Sequence, residues 1–190
     1  MAIILASASP RRQELLQQIG CKFTVKTSEI IEDNSLALPP AELAISHAAA
    51  KAQDVAKTVA TDDIVIGADT IVVMDGQVYG KPADTADARR MLSMLAGRSH
   101  QVITGLAVVS GHRLWKDCCS TVVNFRELSS PEIERYLASG EPMDKAGAYA
   151  IQGVGALLVE GIDGCYANVV GLPLVTLDKL LRRELGVSLL

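Results

Sequence analysis

Apolar residues first gather without polar interruption at residues 2–6 (AIILA), which predicts a short, fully buried strand. Ser9 followed by Pro10 reads as an N-cap with proline at the first helical position. Leu15, Leu16 and Ile19 supply that helix's apolar stripe and Gly20 ends it. The alanine-rich stretch 39–60 predicts a second helix. Residues 64–68 and 70–74 predict strand, and Asp75-Gly76 predicts a tight hairpin that returns antiparallel over residues 77–79. A helix follows over residues 85–95, with Ala88, Met91, Leu92 and Leu95 inward and Gly97 closing it. Residues 101–109 and 120–125 predict strands joined through a turn at Gly111-His112. Ser130-Pro131 opens a helix that runs through Ile133, Tyr136 and Leu137 to Gly140. Pro173 opens the last, with Leu174, Leu177, Leu181 and Leu185 at spacings of three and four. The glycine-rich residues 147–171 between them are expected to be strand and loop.

Helices and strands alternate but hairpins intervene, so the expected fold class is α/β with a mixed, twisted sheet and flanking helices. No internal repeat or low-complexity linker divides the chain, and residues 1–190 are expected to form a single domain. With 190 residues and 49% hydrophobic content, disorder is excluded. No apolar run reaches the roughly 18 residues of a membrane span, and no basic stretch precedes the first strand, so a cytoplasmic protein with no membrane partner is expected. A net charge of −4 argues against a nucleic-acid polymer as partner, so an anionic ligand must be held by a local cluster. Cys21, Cys118, Cys119 and Cys165 lack metal spacing and read as buried thiols rather than a disulfide frame or a zinc site. The stripe of the last helix suits either a homodimer contact or the chain's own core.

Three clusters carry candidate chemistry. Ser7 and Ser9 flank the first turn, and Arg11 and Arg12 lie in the first helical turn, where the macrodipole disfavours cations. Either both arginines point to solvent or a phosphate offsets them, since exposed N–H groups, serine hydroxyls and guanidinium forks are the parts of an anion site. The second cluster is IGADTIVVMDGQVYGKP, where Asp69 ends a buried strand, as a metal ligand or general base would, and Lys81 follows the hairpin. It is no phosphate loop of the G-x-x-x-x-G-K-[ST] kind: only three residues separate Gly76 from Gly80, and Pro82 stands at the hydroxyl position. In the third, DKAGAYAIQGVGA, Gln152 offers a donor and an acceptor to a base edge or bonds nearby backbone. Lys51, Glu32, Asp33 and Asp144-Lys145 are further candidates that singly read as solvated surface. His47, His100 and His112 share no metal spacing and no serine sits in a G-x-S-x-G elbow, which disfavours zinc and serine hydrolases.

Taken in order, S-x-S-x-R-R (Ser7 to Arg12), G-A-D-T (Gly67 to Thr70), G-K-P (Gly80 to Pro82), D-K-A-G-x-Y-x-I-Q-G (Asp144 to Gly153) and N-V-V-G-L-P (Asn168 to Pro173) resemble the Maf family of nucleoside triphosphate pyrophosphatases, over essentially the whole chain. The resemblance implies a mixed α/β fold of two lobes around a cleft, and hydrolysis between the α and β phosphates to a monophosphate and pyrophosphate with a divalent cation, Mg²⁺ or Mn²⁺. Asp-Thr in the second motif and Gln in I-Q-G are similar to the branch that prefers dTTP and UTP; the branch acting on 7-methyl-GTP carries Asp-Gln. By that resemblance Asp69 is the proton acceptor, and Arg11, Thr70 and Gln152 tune base choice. The mechanism expected from these residues has the cation held by Asp69 with Glu32 or Asp33, the water activated by Asp69 or a second carboxylate, and the phosphates held by Ser7, Arg12, Lys51, Lys81 and Lys145. Two places depart from the family pattern: an acidic pair reads Ile31-Glu32-Asp33-Asn34, leaving the ligand's register open, and R-L-A-x-x-K-A reads SHAAAKA over residues 46–52, keeping Lys51 but losing an arginine. The family is also associated with nucleotide-pool sanitation and arrest of septum formation, so a nucleotide-binding regulator of division is the alternative to an enzyme. A pyrophosphatase for 7-methyl-GTP or another modified nucleotide, and a nucleotidyl or sugar-phosphate transferase, are the others.

Overall fold

The computed structural model describes residues 1–31, 33 and 36–190. Its elements are β1 (Ile3–Leu5), α1 (Pro10–Gln18), β2 (Thr24–Val25), α2 (Pro40–Ala56), β3 (Ile64–Met74), β4 (Gln77–Tyr79), α3 (Thr85–Leu95), β5 (Ser99–Ser110), β6 (Arg113–Phe125), α4 (Ser130–Ala138), β7 (Val159–Asp163), α5 (Tyr166–Val170) and α6 (Leu174–Leu185), with three 3-10 turns between α4 and β7. The strands form a seven-stranded mixed sheet in the order β2-β1-β3-β5-β6-β7, with β4 paired to β3. β1 runs parallel to β2 and β3, whereas β3–β4 and β6–β7 are antiparallel. The mixed α/β class expected from the alternation of helices and hairpins is the class found.

The chain divides into two compact units, residues 1–70, 104–119 and 171–190, and residues 71–103 and 120–170. In the first unit, Ile4, Ala6, Val65, Ala107 and Val109 of the sheet pack against Ala48, Ala49, Ala52 and Val55 of α2. The alanines of α2 serve close approach. A Cβ on Gly67 of β3 would stand 2.2 Å from the Ala48 carbonyl oxygen and 2.9 Å from Ala52 Cβ, and one on Gly105 of β5 2.4 Å from the Ala44 carbonyl oxygen. Glycine beneath alanine therefore lets helix backbone lie directly on the sheet. α1 ends as its sequence predicts: Gly20, at φ +70°, donates to Gln17 O and Cys21 to Leu16 O, a Schellman closure. Leu177, Leu180 and Leu181 of α6 are fully buried within the chain, so its stripe serves the chain's own core.

The second unit has its own core, in which α3 (Ala88, Met91, Leu92, Leu95) and α4 (Ile133, Tyr136, Leu137) pack with Val72, Met74, Val123 and Phe125. Asp75 and Gly76, at φ +51° and +76°, make the predicted tight turn of the β3–β4 hairpin. The Ser129–Glu132 capping box starts α4. His100, Phe125 and Tyr149 meet edge to face, and burial pushes the His100 imidazole down to about 4, leaving it neutral.

Several expectations are corrected. The break expected at Asp69 is absent, because β3 is continuous through Asp69 and Thr70. β6 starts at Arg113 rather than Ser120, its alternation hidden by the polar run Lys116-Asp117. Residues 147–171 hold 3-10 turns and the short helix α5 as well as strand, since their small residues carry no period. The two-residue β2 is too short to leave one.

Candidate active site

Asp69 is buried and lies on the same face of β3 as Gly67, two residues before it, because side chains on a strand alternate. That face meets α2. His47 and Lys51, one turn apart on α2, form the row beside Ala44, Ala48 and Ala52, and the close seating of the helix brings both onto the carboxylate. Lys51 Nζ donates to Asp69 Oδ1 at 2.7 Å, and His47 Nδ1 lies 3.2 Å from Oδ2. Burial alone would push the Asp69 carboxyl up. The hydrogen bond from His47, the charge and hydrogen bond of Lys51 and the charge of Arg12 outweigh it and hold the group well below the usual carboxylate range. Asp69 is thus a fixed anion whose oxygens keep further lone pairs for a ligand.

On the opposite face of β3, Thr70 meets Arg12, the buried second arginine of α1. Arg12 Nε donates to Gly171 O at 2.8 Å, Nη1 to Ser7 Oγ at 3.0 Å and Nη2 to Thr70 Oγ1 at 3.1 Å. Thr70 Oγ1 also lies 2.9 Å from Thr104 Oγ1. The reading in which both arginines point to solvent is overturned for Arg12: a carbonyl and two hydroxyls offset its unfavourable place in the first helical turn. Arg11 beside it is half-buried. Ser7 accepts from both Arg12 and the Ser9 amide, which fills its lone pairs and leaves its O–H to donate. The parallel register of Leu5 with Ile66 places this turn beside the segment of β3 that carries Asp69. Ser7, Arg12, Lys51, Asp69 and Thr70 are thereby gathered in the first unit.

Lys81, Lys145 and Gln152 belong to the second unit. Gly147 donates to Gly80 O at 3.0 Å, so the segments carrying Lys81 and Lys145 are tied together. Lys81 is exposed, while Lys145 is half-buried and paired with Asp144. Gln152 is half-buried, and among the described residues its side chain has no hydrogen-bond partner, so it is not spent on nearby backbone.

Of the acidic candidates, Glu32 lies outside the described residues. Asp33 is exposed, and its backbone oxygen lies 3.2 Å from His47 Nε2. Among the described residues no three His, Cys, Asp or Glu side chains gather to hold a metal unaided. Hard carboxylate oxygens nevertheless suit Mg²⁺ or Mn²⁺, and such ions are commonly held by one or two carboxylates together with substrate phosphates. His47, dismissed in the sequence for lack of metal spacing, is the residue missed. Its signal is the four-residue spacing from Lys51, which places both on one helix face.

A family model described as Maf-like protein matches residues 2–184. A dTTP/UTP pyrophosphatase of Moorella thermoacetica is 54% identical over 181 residues, covering 94% of this chain and 93% of that protein. Another, of Gloeobacter violaceus, is 51% identical over 179 residues, covering 94% of each. Among solved structures, the Staphylococcus aureus Ham1 protein is similar at a TM-score of 0.47 and 14% identity, covering 82% of this chain and 78% of that one. With a family match over nearly its full length and curated relatives at about half identity, the chain belongs to the Maf family.

Proposed function

We propose that this protein hydrolyses dTTP and UTP to the nucleoside monophosphate and pyrophosphate, its 190 residues acting as one catalytic domain. The observation that carries the reading is the Asp69 carboxylate, buried and held as an anion between Lys51 and His47 in a chain half identical to proteins named dTTP/UTP pyrophosphatases.

Water attacks the α phosphorus, the bond to the bridging oxygen breaks, pyrophosphate leaves, and the proton lost by the water passes to solvent. Asp69 accepts a hydrogen bond from the attacking water and orients it. An anion held so far below neutrality positions and polarises water better than it stores a proton. The Ser7 O–H donates to a phosphate oxygen, and Arg11, Arg12, Lys51, Lys81 and Lys145 offset the charge of the triphosphate and leaving pyrophosphate. A divalent cation held by Asp69, with Glu32 or Asp33 as second ligand, would supply neutralisation of the phosphate oxygens. The C4 carbonyl and N3–H of uracil or thymine match the donor and acceptor of the Gln152 amide respectively, while Arg11 and the Thr70 hydroxyl tune the choice of base.

The substrate is a free nucleotide, with no nucleic-acid polymer involved. A cytoplasmic location fits a chain whose four cysteines, half-buried rather than buried as expected, form no disulfide. No helix among the described residues is long and apolar enough to cross a membrane. A homodimer is not required by the proposal and is read out by light scattering. The test is pyrophosphate release with Mg²⁺ or Mn²⁺ from dTTP, UTP, CTP, ATP, GTP and 7-methyl-GTP. Turnover selective for dTTP and UTP is expected. Preference for 7-methyl-GTP would overturn the base assignment, and no turnover with either metal would favour the regulator of division.

A further inference from the structure

The segment carrying Gln152 is irregular, and one carboxylate holds it. Glu141, at the start of a 3-10 turn after α4, accepts from Val154 N at Oε2 (3.0 Å) and from Gly155 N at Oε1 (3.1 Å). The buried Tyr136 hydroxyl of α4 donates to Glu141 Oε1 at 2.9 Å and accepts from Ala150 N at 3.2 Å. Backbone amides two residues before Gln152 and two and three residues after it thus converge on one acid and one phenol.

The glycines of this stretch fit the same arrangement. A Cβ on Gly153, at φ +66°, would stand 2.7 Å from Glu141 Oε2, and one on Gly155 2.2 Å from Ala150 O and 2.7 Å from the Tyr136 hydroxyl oxygen. The backbone closes on the acid with no room for a side chain. Burial pushes the Tyr136 phenol up, so it stays a donor at neutral pH. Hydrogen bonds to an ionised carboxylate are roughly twice as strong as neutral ones, which suits Glu141 to fixing a loop that has no strand partner of its own.

We propose that Glu141 and Tyr136 are specificity-positioning residues: they clasp residues 150–155 and so set where the Gln152 amide stands against the pyrimidine base. The inference rests on the reading of Gln152 as the base-reading residue. A recognition group must be held to within about 0.5 Å of its productive place, so loosening the clasp lowers discrimination before it lowers turnover. The same 3-10 turn begins at Glu141 and ends at Asp144, next to Lys145, so the acid ties the base-reading loop to a proposed phosphate contact within one unit.

The experiment compares kcat/KM for UTP and CTP, which differ in the edge that Gln152 faces, in the wild type and in Gln152→Leu, Glu141→Gln and Tyr136→Phe. Gln152→Leu is expected to narrow the UTP/CTP ratio about tenfold, the range set by one lost buried hydrogen-bond partner. Glu141→Gln and Tyr136→Phe are expected to narrow it about threefold or more while kcat at saturating UTP is retained. An unchanged ratio in both clasp variants beside a narrowed one in Gln152→Leu overturns the inference and leaves the base reading standing. An unchanged ratio in Gln152→Leu overturns both. Should Glu141→Gln fail to fold, Tyr136→Phe decides alone, since it deletes one hydroxyl and keeps the ring in the core.

Discussion

Arg12 shows what one residue does at this site. Its donations to Gly171 O, Ser7 Oγ and Thr70 Oγ1 leave in three directions, and only a planar fork serves all three at once. Arg12→Lys keeps the charge but cannot span them, leaving a buried carbonyl or hydroxyl without its partner. It is expected to lower stability by about 1–3 kcal/mol, read as a shift in the urea midpoint at unchanged slope. An unchanged midpoint would mean that the arginine faces a ligand and carries little of the fold. The sequence placed a cation in the first turn of a helix and could say only that something must offset it. That the offset comes from the protein's own carbonyl and hydroxyls depends on Thr70 and Gly171, which are remote in the chain.

At the scale of elements, the seating of α2 on the sheet decides whether Asp69 has its partners. Gly67→Ala puts a methyl 2.2 Å from the Ala48 carbonyl oxygen, and because the obstacle is backbone the helix must move. The variant is expected to lose about 1–3 kcal/mol of stability and most of its pyrophosphatase activity, as His47 and Lys51 shift off the carboxylate. Wild-type activity and midpoint would contradict this seating. Most of these elements were legible from periodicity, capping and hairpin signals, including α1 with its proline start, α3 to the residue and the β3–β4 turn. His47 was not, since its role follows from the depth at which α2 lies and a one-dimensional pattern carries no depth. Glu141 was hidden for a related reason: two of its partners, Val154 N and Gly155 N, are backbone amides, which no residue type announces.

Over the whole molecule, each of two compact units carries its own apolar core and its own share of the proposed chemistry. The first gathers Ser7, Arg12, Lys51, Asp69 and Thr70 around β1, α1, α2 and β3; the second presents Lys81, Lys145 and the clasped loop of Gln152. A net charge of −4 leaves no general attraction for polyphosphate, so anion binding falls to these local cations. The proposed reaction is centred on one fixed carboxylate, Asp69, and that is the claim most open to direct test. Pyrophosphate release from dTTP and UTP is measured at saturating Mg²⁺ for the wild type and for Asp69→Asn, with the folded state of each verified by circular dichroism. Asp69→Asn keeps the shape and both neighbours but removes the anion, and kcat is expected to fall at least a hundredfold while the protein stays folded. A folded Asp69→Asn that turns over dTTP and UTP at the wild-type rate would contradict the account.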